Sequence, residues 1–442
     1  MSDDTSLETE ATELLRTLIR NACVNDGTPA SGHEDRNCDA IEAYFAGSGL
    51  RCERYSAGPG RISLITRIEG SDKKAPTLLL MGHTDVVPAN ASGWERDPFG
   101  GELVDGVVWG RGATDMLNIT STMSVAMRRL AKSGFTPRGT LIYLAVADEE
   151  ALGTWGAKYL VEHELDHVHA DYVVTESGGY QVPTQEGTRL PIMVEEKGTF
   201  WSNITVHGTP SHASQAYRTD NALVTAAEVV RRIAEYRPDA RIGDTWRRYV
   251  EGLGLPVEMA DPDRLDELIA DLPLGLSRIA HSCTHTTMAP TVAHGGTKTN
   301  IIPDRVDLQV DVRTMPGQSG AAARELLIEA IGDDLMHKVE ITSNDDPATS
   351  SPIDTPLWDS LTRVTGRLCE GSALVPTIMT GGTDNRFFRR AGAVGYGFGL
   401  FSRRIRFEDY AKMFHGHDER VDQESLDLST QLWLALAEDL LG

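Results

Sequence analysis

Three short apolar runs in this chain end directly on residues that can bind a metal ion, and this repetition constrains the fold more than any other feature. Residues 78–81 lead into His83, residues 141–147 lead into Glu149 and Glu150, and residues 172–175 lead into Glu176. Continuous apolar runs of this length are typical of strands buried on both faces of an α/β sheet. Ligands of such sheets collect at the carboxyl ends of the strands. The sequence therefore predicts that a histidine and several carboxylates converge there on a divalent cation.

The charge and the cysteines of the chain exclude several classes of partner. Acidic residues outnumber basic ones by 65 to 42, so the formal net charge is −23. Such a surface repels phosphate backbones and anionic lipids, and we expect neither nucleic acid nor a membrane as a partner. The amino terminus lacks the basic and then apolar pattern of a secretory signal, and the 5 scattered cysteines form no C-x-x-C pair. We therefore expect a cytoplasmic protein with reduced thiols.

The length and the periodicity of the chain predict a two-domain α/β protein. A chain of 442 residues exceeds the size at which single hydrophobic cores stop growing. Apolar periodicity predicts helices that alternate with strands, which implies a sheet with helices on both faces. The predicted helices cover 7–20, 34–45, 116–132, 153–165 and 425–441, and the predicted strands include 139–147 and 171–176.

The pattern changes at Lys197, where a smaller α+β domain is predicted. A strand at 200–206, a helix near 220–236, a hairpin around Pro303-Asp304, a helix at 319–331 and a strand at 338–343 follow one another. This β-α-β-β-α-β order predicts a ferredoxin-like sandwich inserted in the larger domain. The proline-containing segment 237–292 is interpreted as an insertion of helices and loops. The predicted division is a catalytic domain over 1–196 and 349–442, with the inserted domain over 197–348.

The types of the candidate ligands indicate which metal they suit. Histidine with carboxylates and no thiolate favours zinc, cobalt or manganese over copper or calcium. Asp85 lies two residues after His83 and is predicted to accept the other N–H of the imidazole. Asp115 precedes a predicted helix, where its two oxygens could bridge two cations. Adjacent Glu149 and Glu150 could divide metal binding and proton transfer, although paired acids are also common at solvated helix starts.

Six short motifs occur in one order along nearly the whole chain. They are Gly-His-Thr-Asp-Val-Val-Pro (82–88), Gly-Arg-Gly-Ala-Thr-Asp-Met (110–116), Asp-Glu-Glu (148–150), Glu-Ser-Gly-Gly (176–179), Gly-Gly-Thr-Asp (381–384) and His-Gly-His-Asp-Glu (415–419). In this the chain resembles the co-catalytic zinc metallopeptidases that include aminoacylase, acetylornithine deacetylase, succinyl-diaminopimelate desuccinylase and glutamate carboxypeptidase. The resemblance implies a zinc-exopeptidase-like sheet with an inserted ferredoxin-like domain that serves as a lid and in dimerisation.

The resemblance also implies roles for individual residues. Two divalent ions, zinc first and cobalt or manganese as alternatives, would share a bridging hydroxide, with Glu149 as the general base and Asp85 as a supporting catalytic residue. The five implied ligands are His83 and Glu176 for one ion, Glu150 and His415 for the other, and Asp115 between them.

Residues outside the metal site are implied to act on the substrate. His212 would reach across a homodimer to stabilise the oxyanion, so a homodimer is expected. Asn300 and Arg313 match positions that grip the carbonyl and the carboxylate of the substrate. Gly382 and Thr383 could offer further donors to that carboxylate, whereas Asp384 and Arg386 could equally form a local ion pair.

Together these features predict a metallohydrolase that cleaves an amide bond next to a free carboxylate, in an N-acyl amino acid or a dipeptide. Lys197 and its neighbours replace the arginines expected for a succinyl group, which argues against a dianionic acyl group. Trp201, Trp246 and Tyr249 are expected to pack within the inserted domain, with an apolar acyl pocket as the alternative.

Two other functions compete with this interpretation. His163-Glu164-Leu165-Asp166-His167 fits the H-E-x-x-H pattern of single-zinc proteases, which requires both histidines on one face of a continuous helix. The second is a non-catalytic protein that binds a carboxylate ligand on the same scaffold. It is disfavoured because every metal and base position of the resembled family is filled.

Overall fold

The computed structural model describes residues 5–442, except for the side chain of Glu408. The helices of this part are α1 (Leu7–Arg20), α2 (Asp35–Phe45), α3 (Leu117–Ser133), α4 (Ala157–His163), α5 (Leu165–Val168), α6 (Ala222–Glu235), α7 (Asp244–Gly252), α8 (Pro262–Ala270), α9 (Leu274–Thr284), α10 (Gly320–Ile331), α11 (Asp333–Met336), α12 (Pro356–Leu368), α13 (Asn385–Arg390), α14 (Phe407–Met413) and α15 (Gln423–Leu441). None of them is both long and apolar enough to cross a lipid bilayer.

The strands of the same part are β1 (Cys52–Gly58), β2 (Arg61–Ile68), β3 (Thr77–His83), β4 (Glu102–Val104), β5 (Val107–Trp109), β6 (Thr140–Val146), β7 (Tyr172–Thr175), β8 (Val182–Thr184), β9 (Gly187–Glu196), β10 (Gly198–His207), β11 (Ser211–His212), β12 (Thr287–Gly295), β13 (Ile301–Ile302), β14 (Arg305–Thr314), β15 (Val339–Asp346), β16 (Thr349–Ser350), β17 (Ser372–Met379), β18 (Val394–Gly397) and β19 (Arg420–Asp422).

A mixed sheet of ten strands forms the centre of the larger part of the molecule. Its main path runs β1-β2-β6-β3-β7-β18-β9-β16, and β8 and β17 also pair with β9. Strands β6, β3 and β7 are neighbours and run parallel to one another. These are the three strands that the apolar runs predicted, and their carboxyl ends therefore meet at one edge of the sheet.

Helices cover both faces of this sheet, as the periodicity predicts. Leu78 and Leu80 of β3 belong to a core shared with α1, α3, α12 and α15. Leu79 and Met81 of the same strand belong to a second core shared with α4 and α13. Successive side chains of a strand point to opposite faces, so a strand with both faces covered must be apolar throughout. This confirms the predicted α/β class.

The inserted domain has its own sheet and core. Four antiparallel strands lie in the order β12-β14-β10-β15. Apolar side chains of β10 and β14 form a core with helices α6 and α10. In chain order the elements are β10, α6, β12, β14, α10 and β15, which is the predicted ferredoxin-like arrangement. The boundaries 196/197 and 348/349 of the domains remain a prediction.

Two details of the predicted inserted domain are wrong. The hairpin does not turn at Pro303-Asp304, because Ile301 and Ile302 pair with β11. The first strand of the hairpin is β12, which begins at Thr287, inside the segment predicted as an insertion. Pro290 suggested a loop, but it occupies an edge strand beside a register shift between Pro290 and Val292. Edge strands and bulges tolerate proline because no ladder hydrogen bond is lost there. Because β12 belongs to the sheet of the inserted domain, we interpret the insertion as 237–286 rather than 237–292.

Candidate metal centre

Five potential metal ligands come from separate elements around one edge of the central sheet. His83 is the last residue of β3, Glu176 follows β7, and Glu150 lies in a short 3₁₀ turn after β6. Asp115 precedes α3, and His415 follows α14. The chain thus brings together residues from five positions that are distant in sequence, all of them predicted as ligands.

These residues form two groups that share one aspartate. In the first group the Nε2 atom of His83 lies 3.1 Å from Oδ1 of Asp115 and 3.9 Å from Oε2 of Glu176. In the second group the Nε2 atom of His415 lies 3.3 Å from Oδ2 of Asp115 and 3.1 Å from Oε2 of Glu150. Within each group the ligand atoms lie within 4.8 Å of one another. Asp115 therefore presents one oxygen to each group, as a bridging carboxylate does.

The electrostatics of the centre fit a pair of cations. Burial and then the Asp115 charge raise the pKa of both Glu150 and Glu176 above the usual range of a glutamate. Hydrogen bonds to Asp115 and Glu150 raise the pKa of His415 to about 10. One buried oxygen of Glu150, Oε1, has no hydrogen-bond partner among the described residues. Carboxylates that repel one another in a desolvated space are stabilised by cations, so this donor set fits divalent metal ions.

The prediction that the carboxylate of Asp85 contacts the imidazole of His83 is wrong, because the backbone carbonyl of Asp85 makes this contact. The Nδ1 atom of His83 lies 2.9 Å from the backbone carbonyl oxygen of Asp85, whereas its carboxylate is 3.6 Å away. That carboxylate instead accepts the N–H of Glu150 at 3.1 Å and an amide N–H of Asn25 at 2.8 Å. The carbonyl of an extended residue can approach the ring as closely as its side chain can. Asp85 thus orients the imidazole and fixes the turn that carries Glu150.

A buried ion pair that was not predicted from the sequence holds the backbone at Asp115 in place. Oε1 of Glu419 accepts the backbone N–H groups of Thr114 at 2.7 Å and Asp115 at 2.8 Å. Its other oxygen accepts from Nη1 of Arg111 at 2.8 Å. Burial raises the pKa of Glu419 to about 7 although Arg111 opposes the shift. Arg111 and Glu419 each lie inside one of the six short motifs described above. Their place in these motifs is the sequence feature from which a role at the site could have been predicted.

We expect Glu419→Ala to weaken metal binding about 10- to 100-fold, the usual cost of losing a group that orients a ligand. The free energy of unfolding should fall by about 3–5 kcal/mol, because Arg111 is left as a buried, unpaired charge. Competition with a chelating dye measures the first effect and urea unfolding the second. Glu267→Ala is the matched control, since it breaks an exposed pair with Arg264. Unchanged metal affinity in Glu419→Ala would contradict this positioning role.

A cavity of about 540 Å³ opens over the centre. Glu149 lines it together with four of the ligands, and the predicted substrate residues Arg313, Gly382 and Thr383 line it as well. Burial, and then the charges of Asp384 and Glu150, raise the pKa of Glu149 well above its usual range. A raised pKa makes a carboxylate a stronger proton acceptor.

The remaining predicted residues differ in whether they line the cavity and in which partners they contact. Thr383 donates its N–H and its hydroxyl to Oε2 of Glu196, at 2.6 and 3.1 Å, so both donors are occupied. His212 and Asn300 are exposed and are not among the residues that line the cavity. Arg386 pairs with Asp346 at 3.0 Å rather than with Asp384.

The H-E-x-x-H segment does not form a metal site. Helix α4 ends at His163, and His167 lies in the separate helix α5. The Nδ1 atom of His167 is 3.3 Å from a carboxylate oxygen of Glu53. In residues 5–442, no group of three potential ligands includes either histidine. The break after His163 removes the shared helical face that the single-zinc alternative requires.

Comparison with known proteins identifies the family. The profile of peptidase family M20/M25/M40 matches residues 79–439, which include every candidate ligand. The chain belongs to this family. This confirms the resemblance seen in the six motifs, and the chain is a metallohydrolase that acts on amide bonds.

Relatives and a solved structure agree with this assignment. The N-fatty-acyl-amino acid synthase/hydrolase of Xenopus tropicalis is 27% identical over 391 residues, which cover 86% of this chain and 75% of the relative. Human aminoacylase-1 is 27% identical over 406 residues, which cover 88% of this chain and 87% of the relative. The M20 family metallo-carboxypeptidase from Sulfolobus solfataricus shares the fold, with a TM-score of 0.73, 17% identity, and coverage of 100% of this chain and 99% of the other.

Proposed function

We propose that this chain is a dinuclear hydrolase that cleaves the amide bond of an N-acyl amino acid or a dipeptide with a free carboxylate. The observation that supports it best is the shared aspartate, since Asp115 faces His83 and Glu176 with one oxygen and Glu150 and His415 with the other. The N-acyl amino acid class follows the relatives, which are an N-fatty-acyl-amino acid synthase/hydrolase and an aminoacylase. Zinc is the expected ion, with cobalt or manganese as alternatives.

The residues of the chain divide the reaction among them. Two divalent cations, when bound, lower the pKa of a water molecule and polarise the scissile carbonyl. Glu149 takes the proton of the attacking water and delivers it to the nitrogen of the leaving amine. Glu149 is suited to this because it lines the cavity beside the ligands and its pKa is raised by burial. Asp85 supports the step by orienting His83 and the turn that follows β6.

The inserted domain binds the carboxylate of the substrate in this proposal. Arg313 lines the cavity and uses Nε and Nη2 on Asp311, at 2.8 and 3.1 Å. A guanidinium has five N–H donors in a planar fork, so it can hold a second carboxylate beside Asp311. Gly382 lines the same cavity, and we propose its backbone N–H as a further donor. Thr383 can join only if it releases Glu196.

The proposed oxyanion donor, His212, requires a homodimer. It lies on β11, which pairs with β13, and its Nδ1 contacts the hydroxyl of Ser214 at 2.8 Å on the exposed surface. In a single chain it does not line the cavity, so we propose that His212 and the neighbouring Asn300 complete the centre of a partner subunit. A donor of this kind contributes about 10²–10³-fold to kcat.

We expect a mixture of two inactive variants to recover activity. His212→Ala keeps Glu149, and Glu149→Gln keeps His212, so a mixed dimer contains one complete site. After subunit exchange at equal concentrations, about a quarter of the wild-type activity should return, because half of the dimers are mixed and one of their two sites works. Sedimentation checks that dimers form. If His212 acted within its own chain, or if the protein were a fully active monomer, mixing would restore nothing.

A panel of substrates tests the proposed function itself. N-acetyl, N-succinyl, N-fatty-acyl and dipeptide substrates are assayed with added zinc, cobalt or manganese. Hydrolysis of N-acyl amino acids or dipeptides that is lost on chelation and restored by metal supports the proposal. Metal-loaded protein that binds these compounds without cleaving them would favour the non-catalytic carboxylate-binding alternative.

A further inference from the structure

The cavity above the candidate metal centre is divided into charged and apolar parts. Its volume of about 540 Å³ lies within the roughly 300–1,000 Å³ of pockets that hold drug-sized ligands. Acidic side chains in its wall belong to the candidate centre, apart from Asp346. Much of the remaining wall is apolar or aromatic and includes Tyr180, Met193, Tyr249, Ile279, Ile378 and Tyr410.

The insertion at 237–286 supplies part of this apolar wall. Tyr249 of α7 and Ile279 and Cys283 of α9 line the cavity. They are held by a core that the insertion shares with Ile378 of β17. Trp246 packs in this core as expected, with its ring 5.5 Å from that of Tyr249 at an angle of 21°. Its indole N–H donates to the carbonyl of Met259 at 2.8 Å. The wall is therefore a packed surface with a fixed shape.

A buried lysine fastens the insertion to the rest of the molecule. The ammonium of Lys197 donates to the carbonyls of Ser282 at 3.0 Å and His285 at 2.6 Å, at the carboxyl end of α9. A third contact, at 3.4 Å, is to the hydroxyl of Thr287. An ammonium has three hydrogens, and these contacts use all of them. Lys197 thus fixes α9 in place, although it also lines the cavity.

Besides the free carboxylate, a substrate can carry a second charged group, the ammonium of a dipeptide or the carboxylate of a succinyl group. The charged residues around the cavity leave such a second group without a partner. Asp346, the acidic wall residue outside the centre, pairs with Arg386 and with Arg390. Outside the candidate centre, the described residues of the cavity wall therefore offer the ammonium of a dipeptide no carboxylate that is free of a cationic partner. With Arg313 assigned to the free carboxylate of the substrate, a succinyl carboxylate would have to compete with Asp346 for Arg386 and with the carbonyls at the end of α9 for Lys197. Burial of an uncompensated charge is costly, whereas apolar groups gain from contact with the wall.

We propose that the insertion at 237–286 is a specificity element whose helices α7 and α9 form the wall of the acyl subsite. The preferred substrates are N-acyl amino acids with a bulky, uncharged, apolar acyl group, ahead of N-acetyl amino acids, N-succinyl amino acids and dipeptides. This inference rests on the proposed function, because it assigns one part of the substrate to one part of that site.

The test compares acyl groups on one amino acid. For N-acetyl-, N-hexanoyl-, N-phenylacetyl- and N-succinyl-leucine and glycyl-leucine, kcat/KM should be highest for the two bulky apolar groups. In the double variant Tyr249→Ser/Ile279→Ser, the ratio of kcat/KM for N-hexanoyl- to N-acetyl-leucine should fall about tenfold, the scale of apolar discrimination in a pocket. Leu274→Ser is the matched control, since Leu274 lies on α9 but is 66% exposed and does not line the cavity.

A binding measurement separates failure of the subsite from failure of folding or of catalysis. In zinc-loaded Glu149→Gln, titration with the same compounds should show the same order of Kd, and adding the two serine substitutions should flatten it. A wild-type enzyme that hydrolyses these substrates with no preference for bulky acyl groups would overturn this inference alone. An enzyme whose double variant alters selectivity among N-acetyl amino acids, and not among acyl groups, would also overturn it. Wild-type protein inactive on every compound would overturn the proposed function and this inference together.

Discussion

Glu149→Gln should retain about two metal ions per chain and lose amide hydrolysis by about 10²–10⁴-fold or more. The amide has the size of the carboxylate but cannot accept the proton of the attacking water. Glu149 has no place in either group of ligands, so its substitution should leave metal binding intact. Metal content by atomic emission and kcat on an N-acyl amino acid measure the two halves of this expectation.

The control for this variant is Glu162→Gln, the same chemical change at an exposed residue of α4. It should behave as the parent enzyme. Equal turnover of Glu149→Gln and the parent would remove Glu149 from the role of general base. Loss of both metal ions in Glu149→Gln would mean that the residue is a ligand instead.

Asp115→Asn should lower the metal content from about two ions to less than one per chain. The substitution keeps the shape of the side chain but removes the only charge that both groups share, so both ions lose a ligand at once. Activity should fall at least as far as in Glu149→Gln and should not recover with excess zinc. Asp166→Asn, at an exposed aspartate of α5, is the control. Two tightly held ions in Asp115→Asn would contradict the bridging assignment.

The strands that carry the centre could be predicted because burial on both faces leaves a clear signal. Leu78 to Met81 point alternately into two cores, and this requires an unbroken apolar run. Strand β9 was not predicted, because Gly187 and Pro191 interrupt its pattern and its longest pairing, with β17, joins it to a distant part of the chain. Pro290 favours the prediction of a loop at β12, although this segment is an edge strand. Pairing between distant segments supplied the information that local sequence lacks.

The sequence predicts the position of those candidate ligands that lie at or just after the end of a strand. His83 ends a strand, and Glu150 and Glu176 follow strands, so the edge of the sheet brings the three together. His415 lies on a loop in the left-handed backbone region, with φ of 55°. The position of a loop residue cannot be predicted from apolar periodicity. Two other contacts depend on exact atomic positions that residue types do not encode. His83 contacts the carbonyl of Asp85 rather than its carboxylate, and the carboxylate of Glu419 accepts the backbone N–H of Asp115.

The most direct test is anomalous diffraction from crystals of the zinc-loaded protein at the zinc absorption edge. Two peaks should appear about 3.5–4 Å apart. One should lie among His83, Asp115 and Glu176, and the other among Asp115, Glu150 and His415. A single peak, or peaks at His163 and His167, would contradict a dinuclear centre bridged by Asp115.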